Sequence, residues 1–181
     1  MQNEAATPSS VNARRHRVQE YVRWSDVDVS GIIRWDVYAR FIEMAETELF
    51  RAAGFPYATL WDRLDIWLPR VQFHLDYRNP ARLDELLDIE IWVGRIGRSS
   101  IRLEFAVKKP GGDMAAEGYL VIVSIDRKNA KSVEVPKALL DALTHAPPSS
   151  SPQPSPAPSP RPSPTRGEGE KVKGGEGDEE H

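Results

Sequence analysis

An α+β domain, one long helix wrapped by a curved antiparallel sheet, is predicted by three observations. Between residues 36 and 53 the apolar side chains recur at helical spacing. From residue 66 onward nearly every stretch carries a strand pattern. The strands follow one another through short turns, without the intervening helices that a parallel sheet requires.

The first strand is read over 16–24, where Val18, Glu20, Val22 and Trp24 alternate with Gln19, Tyr21 and Arg23. The helix is read over 36–53: Tyr38, Phe41, Ile42, Ala45, Leu49 and Ala52 stand three and four apart, and Gly54 followed by Pro56 supplies the stop. Its other face is assigned Arg40, Glu43, Glu46, Glu48 and Arg51, with Glu43 at the edge of the apolar stripe, where a carboxylate serves either solvent or a site. A short helical turn over 57–64 leads out. A strand is expected over 66–77 with Val71, Phe73, Leu75 and Tyr77 on one face, then a turn over 78–84. Strands over 86–93 and 101–108 follow, divided by a Gly- and Ser-containing turn, then a Pro110-Gly111-Gly112-Asp113 hairpin and a strand over 114–126. A closing helix begins after Pro136.

Composition fits one modest domain: 181 residues, 40% hydrophobic, 28% charged, net charge -3. The domain is placed at 15–145, after a flexible polar N-terminus over 1–14. The segment 146–181 is Pro/Ser-rich and then Gly/Glu-rich, with Val172 as the single aliphatic residue after Ala157, so it is expected to be disordered. The N-terminus has neither the apolar core of a secretory signal nor the Arg-rich pattern of a transit peptide. With no cysteine there is no disulfide framework and no thiolate nucleophile, and a cytoplasmic location is expected. No apolar run is long enough to span a membrane, and basic residues are interleaved with acids, which argues against nucleic acid as a partner. The four histidines, His16, His74, His145 and His181, have no metal-ligand spacing and form no Ser-His pair, so no metal, no cofactor and no triad is expected.

The segment that carries chemistry is Arg23-Trp24-Ser25-Asp26-Val27-Asp28-Val29-Ser30-Gly31-Ile32-Ile33, a strand-like run with two carboxylates just before the helix. A carboxylate beside unpaired N–H groups and a positive helix end can attack a carbonyl, or direct water at it, while those groups hold the oxyanion. The competing reading of Asp28 is a capping or turn acid. For Asp26 a salt bridge or hydrogen bond near the strand end is expected.

Three motifs in order resemble the hotdog-fold acyl-CoA thioesterases, specifically the 4-hydroxybenzoyl-CoA thioesterase family. They are Asp26-Val27-Asp28 with Gly31 and then Tyr38 and Glu43; Tyr77-Arg78-Asn79-Pro80-Ala81 with Asp84 and Leu86; and Gly97-Arg98-Ser99. The resemblance implies a hotdog fold and hydrolysis of an acyl-CoA to free acid and coenzyme A. It makes Asp28 the catalytic acid, Gly31 the bend that admits the acyl carbonyl, and the N–H groups from Ile33 to Trp35 the oxyanion donors. Glu43 and Tyr38 rank second, Glu43 because another hotdog branch takes its carboxylate from the helix. Arg98 and Ser99 are candidates for the nucleotide phosphates of coenzyme A. Trp67 is a candidate acyl-pocket aromatic, although large aromatics also serve cores and dimer interfaces. A homodimer, or a homotetramer built as a dimer of dimers, is implied as well, and the free edge of long strands gives an independent reason for one. Relatives associated with the Tol-Pal cluster carry His-Ala-Asn-Tyr at the helix start, whereas this chain has Trp35-Asp36-Val37-Tyr38, so a reshaped acyl pocket is expected. The alternative function is a hotdog protein that binds acyl-CoA or acyl-carrier protein without cleaving it. A hydratase is disfavoured by the missing helix-start histidine, and a structural dimer with a Pro-rich arm is the remaining class.

Overall fold

The structure is a computed structural model that describes residues 15–145. The stretches 1–14 and 146–181, expected to be flexible ends, lie outside the described residues. A five-stranded antiparallel sheet of order β1-β4-β5-β6-β3 is built from β1 (His16–Tyr21), β3 (Arg70–Tyr77), β4 (Leu86–Ile96), β5 (Ser100–Lys108) and β6 (Met114–Val123). Helix α1 (Val37–Ala52) crosses its inner face, α2 (Tyr57–Leu64) follows, and α3 (Lys137–His145) closes the described chain. A separate two-stranded ribbon pairs β2 (Ile66–Trp67) with β7 (Ile125–Asp126).

The helix forms where its apolar stripe meets the sheet. Phe41, Ile42, Ala45, Leu49 and Phe50 are buried against a floor of Leu87, Ile89, Ile91, Ile101, Leu103 and Phe105. Alternate residues of β4 face this core, and at ~25 cal/mol per Å2 such burial is the main favourable term in folding. Helix α1 packs on β1 and β4 and leaves β3 largely uncovered. Phe73 and Tyr77, on the core-facing side of β3, are therefore 46% and 53% exposed.

Several boundaries differ from expectation, each through a specific competitor. Strand β1 ends at Tyr21, not Trp24, because the Asp26 carboxylate accepts the Arg23 N–H at 2.9 Å and winds residues 24–26 into a 3-10 turn. Trp24, expected in the strand, is exposed on that turn. The run 23–33 is accordingly no strand; it is held by bridges Val27↔Ile33 and Ile32↔Arg82. The strand expected over 66–77 is cut at Pro69, which has no N–H for the ladder, and its first part pairs with β7. The strand expected over 114–126 breaks at Ser124, whose N–H and C=O bond to Ser99 and Val133. Arg95, expected in a turn, lies within β4. Glu46, assigned to the solvent face of α1, is buried.

Candidate active site

The site is built where the 27–36 loop, the start of α1 and the Tyr77 end of β3 meet. Asp28 and Gly31 close a tight turn: the Gly31 N–H donates to the Asp28 carbonyl and the Asp28 N–H to the Ile32 carbonyl, both at 3.0 Å. Gly31 has φ +72, in the left-handed region that other residues enter at a cost, and the space beside it is open. The expected bend at Gly31 is therefore present. The loop is tied down by Ile33 N–H to the Ala81 carbonyl at 3.0 Å and Arg34 N–H to the Asp26 carbonyl at 2.8 Å.

Those two bonds correct one expectation. Of the N–H groups from Ile33 to Trp35, the first two are consumed within the fold, and only that of Trp35 has no acceptor among the described residues. It lies just before the helix start, separated from Val37 by Asp36, at the positive end of the helix dipole. Trp35 also lines a cavity of about 220 Å3 with Ile32, Ile33, Tyr38, Tyr77 and Pro80. The Tyr77 hydroxyl donates to the Trp35 carbonyl at 3.1 Å and so fixes the peptide next to the free donor. Tyr38 is buried, meets Tyr77 edge-to-face at 5.6 Å, and has its hydroxyl pushed up to about 12 by burial. It is a neutral wall of the cavity.

The two acids of the loop have different environments. Asp26 is 4% exposed and pairs with Arg40 at 2.7 Å, as the structural reading expected. Asp28 is solvent-exposed, at the rim of the loop, and is not among the cavity's lining residues. Its Oδ1 accepts the Ser30 hydroxyl at 2.5 Å and the Ser30 N–H at 2.8 Å. These two donors, with a smaller pull from Arg34, hold the carboxyl below the usual aspartate range, so it is an anion at neutral pH. The Ile32 N–H adds a weaker pull on the same carboxyl, and no side chain among the described residues donates to its other oxygen.

The remaining candidates are not brought to this site within one protomer. Arg98 and Ser99 sit in the β4–β5 turn, their carbonyls bonded to Val135 and Ser124, and Trp67 lies under Arg127 at 4.6 Å in the β2–β7 ribbon. All three mark the end of the sheet opposite to Asp28, separated from it by the length of strands such as the 11-residue β4. Glu43 is exposed and lines a second cavity, further along the groove between α1 and β3.

Three features of the candidate site and its surroundings were missed in the sequence. Ser30, two residues after Asp28, is a serviceable signal, since a short Asx or Ser turn has that spacing. Tyr77 was placed as a strand residue and as part of the second motif, with no role at the site. The buried Glu46, which accepts the Tyr57 hydroxyl at 2.5 Å and pairs with Arg70 at 2.8 Å, had a visible cue: it lies four residues from both Ile42 and Phe50 on the apolar stripe. Among the described residues no cluster of three metal-ligating side chains occurs, and no helix is long and apolar enough to cross a membrane.

Comparison with known proteins gives the family of the chain. The thioesterase-like superfamily profile matches residues 22–143, which span the Asp28 loop, α1 and every strand from β2 to β7. The chain belongs to the thioesterase-like superfamily. Within it, the acyl-CoA thioesterase YbgC of Haemophilus influenzae is 27% identical over 124 residues, 68% of this chain and 90% of that protein. The 4-hydroxybenzoyl-CoA thioesterase of a Pseudomonas species, strain CBS-3, is 27% identical over 132 residues, 68% of this chain and 94% of that protein. A 1,4-dihydroxy-2-naphthoyl-CoA thioesterase from Synechocystis has the same fold, with TM-score 0.67 at 14% identity, covering 72% of this chain and 96% of that one. The thioesterase-like chain thus has the hotdog architecture that its motifs implied, with α1 as the wrapped helix.

Proposed function

We propose that this protein hydrolyses the thioester of an acyl-CoA, releasing the free acid and coenzyme A, with Asp28 as the reacting carboxylate. The observation that carries the reading is the pairing, on one eight-residue loop, of an ionised Asp28 with the unpaired N–H of Trp35 at the mouth of a cavity. A thioester carbonyl seated against the Trp35 N–H would have its developing oxyanion held by a donor that needs no reorganisation. Asp28 then acts in one of two ways. As nucleophile, one of its oxygens bonds to the carbonyl carbon, the C–S bond breaks, the thiolate leaves, and water cleaves the mixed anhydride. As base, it takes a proton from the water that attacks. Label entering Asp28 during a single turnover in 18O water marks the nucleophile; label in the product acid alone arises from the base or from an anhydride cleaved at its acyl carbonyl, and hydroxylamine capture of an acyl-Asp28 intermediate separates those two. Release of thiol from at least one class of acyl-CoA tests the reaction itself. Binding with thermal stabilisation but no thiol release would favour the non-catalytic alternative.

A homodimer completes the reading, joined through β3, the free edge of the sheet next to the exposed Val71, Phe73 and Tyr77. Antiparallel pairing of β3 with its copy carries the partner's Arg98 and the partner's Ser99 to the sheet end where Asp28 sits. Their role toward coenzyme A phosphates depends on that pairing. The described domain, 15–145, is the catalytic unit, and the cytoplasm, where acyl-CoA is made and used, is its proposed location.

A further inference from the structure

Strand β3 carries a β-bulge: Arg70 is opposite Ile122 and Gln72 opposite Val121, leaving Val71 as the extra residue. Cross-strand partners share a face, so the bulge turns Arg70 to the side where Ile122 is buried, toward α1. There its Nε and Nη2 donate to Glu46 at 3.3 and 2.8 Å, and Nη2 lies 3.3 Å from the Tyr57 hydroxyl. Glu46 is only 1% exposed. A buried carboxylate therefore clamps one edge of a guanidinium whose Nη1 has no acceptor among the described residues.

Arg70 lines a cavity of about 340 Å3, floored by Ala39, Ile42, Phe73 and Leu120 and walled by Glu43 and Glu46. This cavity continues the groove that begins at Trp35, since Ile42 follows Tyr38 by one helical turn and Phe73 precedes Tyr77 on the same face of β3. Its charges choose the ligand chemistry. Glu46 and Arg70 cancel, and the Glu43 carboxylate leaves the wall net negative, which repels a carboxylate or phosphate. Arginine only donates, so the free Nη1 calls for a neutral acceptor oxygen. A carbonyl has no proton to offer Glu43 and so responds to Arg70 alone.

We propose that this cavity receives the far end of the acyl group and that Arg70 selects acyl groups carrying a neutral carbonyl oxygen there. The proposal rests on the thioesterase reading and adds the substrate class. The test uses matched acyl-CoA series over several chain lengths: the plain alkanoyl thioester, its analogue with the penultimate methylene replaced by a ketone, and its ω-carboxylate. The wild-type protein should favour the ketone over the hydrocarbon by about tenfold to a hundredfold in kcat/KM at the length that reaches Arg70, the worth of a hydrogen bond to a charged donor, and should use the ω-carboxylate least. In the double variant Glu46→Gln/Arg70→Met, which keeps an uncharged acceptor for Tyr57, the ketone-to-hydrocarbon ratio should collapse to about one. No length at which the ketone is favoured, a preferred ω-carboxylate, or an unchanged ratio in the double variant overturns the assignment. The wild-type ratios decide even if the double variant does not fold. Should no thioester be hydrolysed, the thioesterase reading fails separately, and dissociation constants of the same series for the wild-type protein decide the subsite: equal affinities for ketone and hydrocarbon refute it, and tighter ketone binding sustains it.

Discussion

Removing Arg70 should hurt the fold more than neutralising its buried partner, and the difference should depend on pH. Arg70→Met leaves Glu46, at 1% exposure, with the Tyr57 hydroxyl as its remaining partner. Stranding one member of such a pair costs about 3–5 kcal/mol, and proton uptake by the carboxyl keeps the loss near the lower figure. For a domain of this size about 3 kcal/mol corresponds to a fall in Tm of about 10 °C. In Glu46→Gln, which keeps an acceptor for the Tyr57 hydroxyl, the group that loses its counter-charge is Arg70, whose side chain is 43% exposed and keeps its contact with water, so that variant should lose less than half as much. The pH dependence follows from linkage. Burial already pushes the Glu46 carboxyl up, with Arg70 and the Tyr57 hydroxyl acting against it. Without Arg70 its folded-state pKa climbs further above the unfolded value, so the folded protein binds a proton that the unfolded chain gives up. That contribution is full below about pH 4.5 and is lost as pH rises through the folded pKa. Thermal unfolding followed by circular dichroism should therefore show a wider gap between wild type and Arg70→Met at pH 8 than at pH 5. Equal losses in the two variants, or a gap that does not change with pH, would refute the reasoning.

Three further outcomes are expected. Trp35→Pro, which deletes the free N–H and no internal hydrogen bond, should lower kcat about a hundredfold to a thousandfold, whereas Trp35→Ala keeps the donor and should retain most of kcat; steady-state kinetics of the two compares donor with side chain. His16 is buried, neither ring nitrogen has a partner among the described residues, and burial lowers its pKa against the pull of Glu48. The unfolded chain thus takes up the proton first, so stability is full above about pH 6.5 and falls as pH drops below it; His16→Leu should flatten that part of the Tm profile between pH 7 and 5. The dimer proposed through β3 predicts that Phe73→Lys shifts sedimentation from dimer to monomer, and a dimer unchanged by the substitution would contradict that interface.

The fold was legible because its two periodicities are strong. The stripe Phe41-Ile42-Ala45-Leu49 and the alternation along β4 and β5 each point to one packed face, and α2 lies over the expected 57–64. What was not legible depends on partners distant in sequence. Nothing local shows that Ser124 gives its backbone to Ser99 and Val133, or that β2 leaves the main sheet for β7. The bulge at Val71 is hidden for the same reason: counting alternate residues along β3 assumes an unbroken register and puts Val71, not Arg70, on the inner face. At the site, the loop chemistry could be read from Asp28, Gly31 and the helix start. Which N–H stayed free could not, because the Ala81 and Asp26 carbonyls that consume the first two are supplied by the folded chain. The separation of Arg98, Ser99 and Trp67 from Asp28 was likewise invisible, since motif order along a chain carries no information about which end of a sheet each turn occupies.

The central claim is that the Asp28 carboxylate carries out the reaction, and Asp28→Asn tests it most directly. The residue is exposed, and an asparagine oxygen can still accept the Ser30 hydroxyl and N–H, so the loop should persist while the reacting charge is lost. Thiol release from the best acyl-CoA found for the wild-type protein should fall about a hundredfold to ten-thousandfold with Tm unchanged. Equal rates for the two proteins would contradict the account and leave the loop acid as a turn residue.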